Sequence, residues 1–256
     1  MQVPNKIYRS LKTQGVLGTI IYVLENKFQL RLPLGTKLRW RLGIRNEILF
    51  WDKYFKEKGL QWSANYHLRL DPTLQLQENI SKLIPEDNET VDILDVGAGP
   101  LTYLGKVYEN KIIKITAVDP LAKEYDKLLE KYSVDPLVRT EELEAEKLTK
   151  RFEENSFDLV FARNCIDHSF SPEKAILEMI KVCKRKCYIL MMHIPNEAEN
   201  ENYKGLHQWN FSSDNGEFII SSKNDKVNFS DKFSHLCKAK CIITDDGWLR
   251  TEIRKE

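Results

Sequence analysis

Short apolar runs alternate with longer amphipathic stretches from residue 91 onward. VDILDV (91–96), KITAV (114–118), PLVRT (136–140), FDLVFA (157–162) and CYILMM (187–192) recur every twenty to thirty residues. Between them, AKEYDKLLEKY and PEKAILEMIKVCK carry apolar residues at helical spacing. Strands separated by helices predict an α/β fold with a doubly wound, Rossmann-like, mostly parallel sheet. The last part of the chain differs. EFIISS, a KND turn and KVNF predict an extra hairpin, and CIIT with WLRTEIR predicts an antiparallel C-terminal edge.

Upstream, from Asn46 to Ile84, Ile48, Phe50, Trp51, Tyr54 and Phe55, then Leu74, Leu76, Ile80 and Leu83, recur at helical spacing, broken by KGLQW and Asp71-Pro72. This pattern predicts a helical lid. The chain thus divides into an N-terminal helical cap over 1–84 and an α/β domain over 85–256, with an insertion at 194–230. With 256 residues, 42% of them apolar, and a net charge of +1, the chain can bury one substantial core with appendages.

Charge changes the picture at one end. Residues 1–45 hold nine Lys and Arg against Glu25, a net +8, leaving −7 for the rest. Such a segment suits either a cap docked on an acidic body or peripheral contact with the inner face of an anionic membrane. No nucleic-acid motif accompanies it, so nucleic acid is not expected as a partner. The start of the chain lacks a leader pattern, and GVLGTIIYVL (15–24) is about half a membrane span, so a cytoplasmic protein is expected. Five cysteines, an odd number, suit reduced thiols. CKRKC (183–187) and CKAKC (237–241) form an internal echo that reads as inward-packing cysteines, with a zinc site as the other reading.

The stretch richest in chemistry is ILDVGAGP (93–100). Its glycines let a strand-to-helix turn approach a ligand closely, and the first helical turn offers free backbone N–H groups. Asp95 sets a carboxylate beside that turn, which repels a pyrophosphate and attracts an ammonium group. GAGPLT lacks the third glycine of the dinucleotide fingerprint. The second predicted strand ends in AVDP, so Asp119 lies twenty-four residues beyond Asp95, suited to accepting both hydroxyls of a ribose. With D-x-G-x-G on the first strand and an acid ending the second, the chain resembles the class I S-adenosylmethionine-dependent methyltransferases over roughly residues 75–256.

The resemblance implies that Asp95, Gly97, Ala98 and Gly99 hold the methionine part of the donor, and that Asp119 and Pro120 form its ribose and adenine edge. Glu144-Ala145-Glu146 is similar to the D-A-E stretch of that family, which sets Glu144 and Ala145 beside the adenine; the glutamates of TEELEAEKL also permit a shifted register or a merely solvated charge. NSFDLVFARNCIDHSFSPEKAILEMIKVCK (155–184) resembles the fourth strand and following helix of the family. That implies Asn164 near the methionine part and His168 where the donor methyl points. Asp167 and His168 equally suit the task of satisfying first-turn amides of the helix begun by Ser171-Pro172-Glu173. KVCKRKCYILMM departs from the family by lacking its usual proline-glycine turn.

A sulfonium methyl is already activated, so the enzyme must align it and, for a hydroxyl acceptor, remove a proton. His168, His193 and His207, at or beyond the carboxyl ends of the last core strands, are the candidate bases. His67 and His235 read as structural. HIPNEAENENYKGLHQWNF (193–211) adds Glu197, Tyr203 and Trp209, and RLDP (69–72) adds Arg69, as candidates for binding an acceptor such as a sugar. NCIDHS, GLHQWNF and RLDP together resemble methyltransferases of bacterial capsule and O-antigen biosynthesis, which implies O-methylation of a sugar hydroxyl or sugar-attached group. A divalent metal on His168, His193, His207 and Asp167 or Glu197 is a competing chemistry that no H-x3-H spacing favours, so no metal site is expected. An N- or phosphate-linked O-methyltransferase, a NAD-dependent oxidoreductase and a noncatalytic binding module remain the alternatives.

Overall fold

The computed structural model describes residues 36–256, with side chains from Gly43 onward, and Ile20. Apart from Ile20, the expectations placed on residues 1–35, including the basic segment and its membrane contact, lie outside the described residues. Among the described residues, no helix is long and apolar enough to cross a membrane.

The strands are β1 (Thr90–Val96), β2 (Ile112–Asp119), β3 (Thr140–Glu142), β4 (Phe157–Arg163), β5 (Cys183–His193), β6 (Asn210–Asp214), β7 (Glu217–Ser221), β8 (Lys226–Asn228), β9 (Cys237–Ile243) and β10 (Leu249–Lys255). Seven of them form one sheet in the order β3-β2-β1-β4-β5-β10-β9, parallel from β3 to β5, with β10 antiparallel to both neighbours. This is the doubly wound, mostly parallel sheet with an antiparallel C-terminal edge that the hydrophobic pattern predicts. The strand order reverses beside β1, so a crevice opens at the carboxyl ends of β1 and β4, where ligands bind in such sheets.

Near-continuous burial explains why β1 and β4 lie at the centre: every residue from Ile93 to Val96 and from Phe157 to Ala162 is buried. Alternation then divides the two faces. Leu94, Val96, Val160 and Ala162 pack with the helix Pro172–Val182, whereas Ile93, Leu159 and Phe161 pack with Leu76, Ile80 and Ile84. The third strand is shorter and later than PLVRT predicts. Pairing with β2 starts at Thr140, Pro136 supplies no ladder N–H, and Leu137 is exposed. The small sheet β6-β7-β8 contains the predicted hairpin and one strand, NFSSD, whose serines hide its buried Phe211. The five cysteines are unpaired, and Cys183, Cys237 and Cys241 are buried.

The helices are α1 (Thr36–Lys56), α2 (Ser63–Arg69), α3 (Glu78–Ser81), α4 (Ala122–Tyr132), α5 (Pro172–Val182), α6 (Glu197–Asn200) and α7 (Phe229–Lys232). α1 ends where Lys58, Gly59 and Leu60 all take left-handed φ values of 46°, 102° and 56°. Trp51, Tyr54 and Phe55 on α1, with Tyr66 on α2, pack on Tyr125, Leu128 and Leu129 of α4. Farther up α1, the backbone of Gly43 lies against Leu206; a methyl there would stand 2.6 Å from the Leu206 amide nitrogen. Gly43→Ala should therefore cost about 1–3 kcal/mol, read by urea denaturation. Unchanged stability would contradict this close packing.

Candidate functional site

The carboxyl ends of β1 and β2 form a buried acidic turn. Gly97 and Gly99 adopt φ values of 68° and 64°, while the N–H groups of Gly97 and Ala98 donate to the Val118 carbonyl. A side chain at 97 would run into Cys165, and one at 99 into the Trp51 indole. Only glycine lets both neighbours close on the turn. Asp119 accepts the N–H of Leu121 (2.8 Å) and of Gly99 (3.2 Å), and the Thr140 hydroxyl donates to the Gly99 carbonyl (2.7 Å). Each Asp119 oxygen keeps a second lone pair for a ligand hydroxyl.

Burial sets the charge of this turn. Asp95, which accepts the Thr102 hydroxyl, is pushed up to about 6 by burial, against the opposing pull of Thr102, Arg69 and Lys106. Asp119 is raised to about 7 by burial, with the charge of Glu47 adding to the rise. The Arg69 guanidinium donates to the Leu101 carbonyl and lies 5.9 Å from the Trp51 ring centroid and 5.8 Å from that of Tyr103. Arg69 is thus attached to the Asp95 side of the crevice. Arg163, at the end of β4, lies 4.0 and 4.5 Å from the ring centroids of Tyr103 and Trp248.

A second group converges at the ends of β4 and β5. Asn164, in left-handed backbone (φ 49°), donates its N–H to the Met192 carbonyl and accepts Ile194 N–H through Oδ1. The tight turn that follows places Asp167 and His168; α6 supplies Glu197, and the loop before β6 supplies His207. His168 Nε2 lies 3.1 Å from His207 Nδ1, 3.5 Å from Asp167 Oδ2 and 4.0 Å from Glu197 Oε2. His207 Nδ1 lies 3.8 Å from Glu197 Oε1. His193 is deeper, only 1% exposed; its Nε2 accepts Ile166 N–H at 3.3 Å and stands 3.6 Å from Asp167 Oδ1.

Neither these carboxylates nor the imidazoles of His193 and His207 titrate in their usual ranges. Burial raises Asp167 to about 7, and burial with the Asp167 charge raises Glu197 to about 8. Burial, with His168 nearby, lowers His193 to about 3 and His207 to about 4.

Residues 94–191, from β1 into β5, match the family model for the methyltransferase domain. This region is a methyltransferase domain. That family implies S-adenosylmethionine as cofactor. Among solved structures, a SAM-dependent methyltransferase from Methanosarcina mazei is 16% identical, covering 71% of this chain and 99% of its own (TM-score 0.41). A SAM-dependent methyltransferase from Aquifex aeolicus is also 16% identical, with coverages of 73% and 90% (TM-score 0.42). The [4+2]-cyclase SpnF is 19% identical over 53% of this chain (TM-score 0.38), and the chain spans about half, 47%, of its length. Likenesses this distant say nothing of activity. No curated protein matches the chain.

Within the matched region, Asp95, Gly97, Ala98, Gly99, Asp119 and Pro120 come together at the carboxyl ends of β1 and β2. Leu143 N–H donates to the Asp119 carbonyl, so the chain leading to Glu144 and Ala145 runs beside the same edge, with Glu144 paired to Lys147 at 2.7 Å. Glu146 turns away to accept Ser171 N–H. In the acceptor segment, Gln208 and Asn210 are internal braces. Gln208 donates to the carbonyls of Tyr203 and Gly205, while Asn210 accepts Glu199 N–H and donates to the Tyr203 hydroxyl. Trp209 packs on the main core, and its indole nitrogen is buried without a partner.

Four contributors escape the sequence reading: Thr102, which holds Asp95; Thr140, which holds Gly99; Glu47, whose charge reaches Asp119; and Arg163. None carries a motif, because each acts through a contact distant in sequence. Trp51 is legible there only as an apolar helix position.

The shifted groups give the protein a signed pH dependence. The His193 and His207 effects are complete above their ordinary value of 6.5. Between about 6.5 and 8, native Asp119, Asp167 and Glu197 still hold protons that the unfolded chain has lost, so stability falls as pH rises. Thermal melts across that range should show this decline, flattened in Glu197→Gln. An equal decline in the variant would contradict the assignment.

Proposed function

We propose that the protein transfers a methyl group from S-adenosylmethionine to a hydroxyl of a sugar, or of a group attached to a sugar. The reading is carried by the convergence of the Asp95–Asp119 turn and the Asp167, His168, Glu197, His207 cluster at the carboxyl ends of neighbouring parallel strands. The glycine turn fits a donor whose atoms must approach backbone. Asp95 and the Gly97–Gly99 turn hold the methionine part with Asn164, while Asp119 and Pro120 hold the ribose and adenine edge, with Glu144 and Ala145 beside it. Arg69, beside Asp95, suits a carboxylate at this end as well as it suits an acceptor.

The donor supplies a sulfonium methyl: the S–CH3 bond breaks toward sulfur as the O–CH3 bond forms, releasing S-adenosylhomocysteine. The protein orients the acceptor hydroxyl and takes its proton within the histidine and carboxylate cluster. His168 and His207 face the acceptor, and His193, behind Asp167, positions that carboxylate. Glu197 and Tyr203 suit hydroxyl recognition, and Trp209 offers a ring face. The NCIDHS, GLHQWNF and RLDP resemblances favour a glycan of bacterial surface-polysaccharide assembly, and the basic segment 1–45 suits a cytoplasmic enzyme docked at an anionic membrane.

A panel of sugar nucleotides with radiolabelled donor tests the acceptor, and calorimetry with S-adenosylhomocysteine and NAD tests the donor. The expected outcome is S-adenosylhomocysteine binding without NAD binding. Asp119→Ala should weaken donor binding more than about 10-fold, the scale of one lost charge-assisted hydrogen bond. His207→Ala should slow turnover about 10²–10⁴-fold with donor binding intact. The reverse pattern would sink the assignment.

A further inference from the structure

We infer that Asp167, His168, Glu197 and His207 form a binding site for one divalent first-row transition-metal ion such as Zn²⁺ or Co²⁺. This deepens the acceptor-site reading above and rests on it only for the ion's role in turnover.

The first observation is geometric. One ligand atom from each of the four residues lies within 4.8 Å of the others, and the closest contacts measure 3.1, 3.5, 3.8 and 4.0 Å. Donors about 2.0–2.1 Å from a tetrahedral ion stand roughly 3.4 Å apart, so closing the cluster onto an ion needs only small side-chain movements. Two imidazoles with two carboxylates make a mixed nitrogen and oxygen set, which suits zinc and its first-row neighbours rather than magnesium or calcium.

The second observation is independent of spacing. Both Asp167 oxygens and Glu197 Oε2 are buried without a hydrogen-bond partner, and Asp167 is only 1% exposed. Among the described residues no Lys or Arg makes an ion pair with either residue; their ionic neighbours are His168, His193 and His207. Among the described residues these two neighbouring buried carboxyl groups have only imidazoles as basic neighbours, so ionising both is costly, and a divalent cation supplies the missing positive charge. A ring-to-ring hydrogen bond between His168 and His207 satisfies one nitrogen of each and leaves the carboxylate oxygens unanswered.

The four ligands come from two segments. Asp167 and His168 follow β4, and Glu197 and His207 lie in the segment between β5 and β6, so the ion ties the acceptor segment to the core of the domain. In turnover the ion binds the acceptor oxygen and lowers its pKa. The hydroxyl proton passes to a carboxylate oxygen not used on the ion. The O–CH3 bond then forms as the S–CH3 bond breaks.

The test begins with full-length protein treated with EDTA, freed of chelator, and titrated with CoCl2 and ZnCl2. Visible absorption reports cobalt geometry, and elemental analysis reports stoichiometry. We expect one ion per chain. His207→Ala and Glu197→Gln should each weaken binding more than about 10-fold, with S-adenosylhomocysteine binding unchanged as proof of folding, and exposed His67→Ala should bind like wild type. Absence of a stoichiometric ion, or equal affinity in the His207 and Glu197 variants, overturns the metal site. If metal binding fails while His207→Ala still slows methyl transfer, the acceptor-site reading survives alone. If His207→Ala transfers methyl at the wild-type rate, that reading falls, whatever the metal result.

Discussion

The register of β1 between β2 and β4 is the constraint on which the site depends. Asp95 pairs with Ala117 on one side and Phe161 on the other, and Val96 with Val118 and Ala162. These positions fix how far each strand carries its terminal side chains, so the ends of β1, β2 and β4 emerge together where the strand order reverses. A one-residue slip would exchange the faces of Ile93 and Leu94, which pack in different cores, and would turn Asp95 away from Thr102. The apolar interior therefore enforces the placement of the acids.

The same helix touches both halves of the crevice. Gly43 lies against Leu206, next to His207, and Trp51 lies against Gly99. The two positions are eight residues apart on α1, or about 12 Å along its axis. A rigid span of this kind sets the distance between the donor turn and the acceptor segment more firmly than the loops alone. It also explains the tolerance for glycine at 43, a helix-interior position where alanine has the better intrinsic propensity.

Much of this was legible in the chain. Alternating apolar runs give the parallel sheet, and D-x-G-x-G with AVDP gives the acidic turn, because both are local patterns imposed by strand burial and backbone approach. The histidines converge on Asp167 and Glu197 through tertiary geometry. His168 and His207 are nearly forty residues apart, and neither has a partner at a metal-like spacing, so no sequence window contains the cluster. PLVRT misleads for a related reason: its apolar residues look like a strand, but pairing begins only at Thr140. The GLHQWNF stretch divides by role, with His207 entering the cluster, Leu206 meeting α1, and Gln208 and Asn210 bracing the segment.

The central claim is that the glycine turn and the histidine–carboxylate cluster are two sides of one site. A crystal structure with S-adenosylhomocysteine measures it most directly. The account predicts homocysteine along Gly97–Gly99, ribose hydroxyls on Asp119, and the sulfur facing the cluster across a gap that admits one acceptor oxygen, roughly 3–3.5 Å from the position of the transferred methyl. A sulfur pointing away from His168 and His207, or a ligand bound elsewhere, would contradict it.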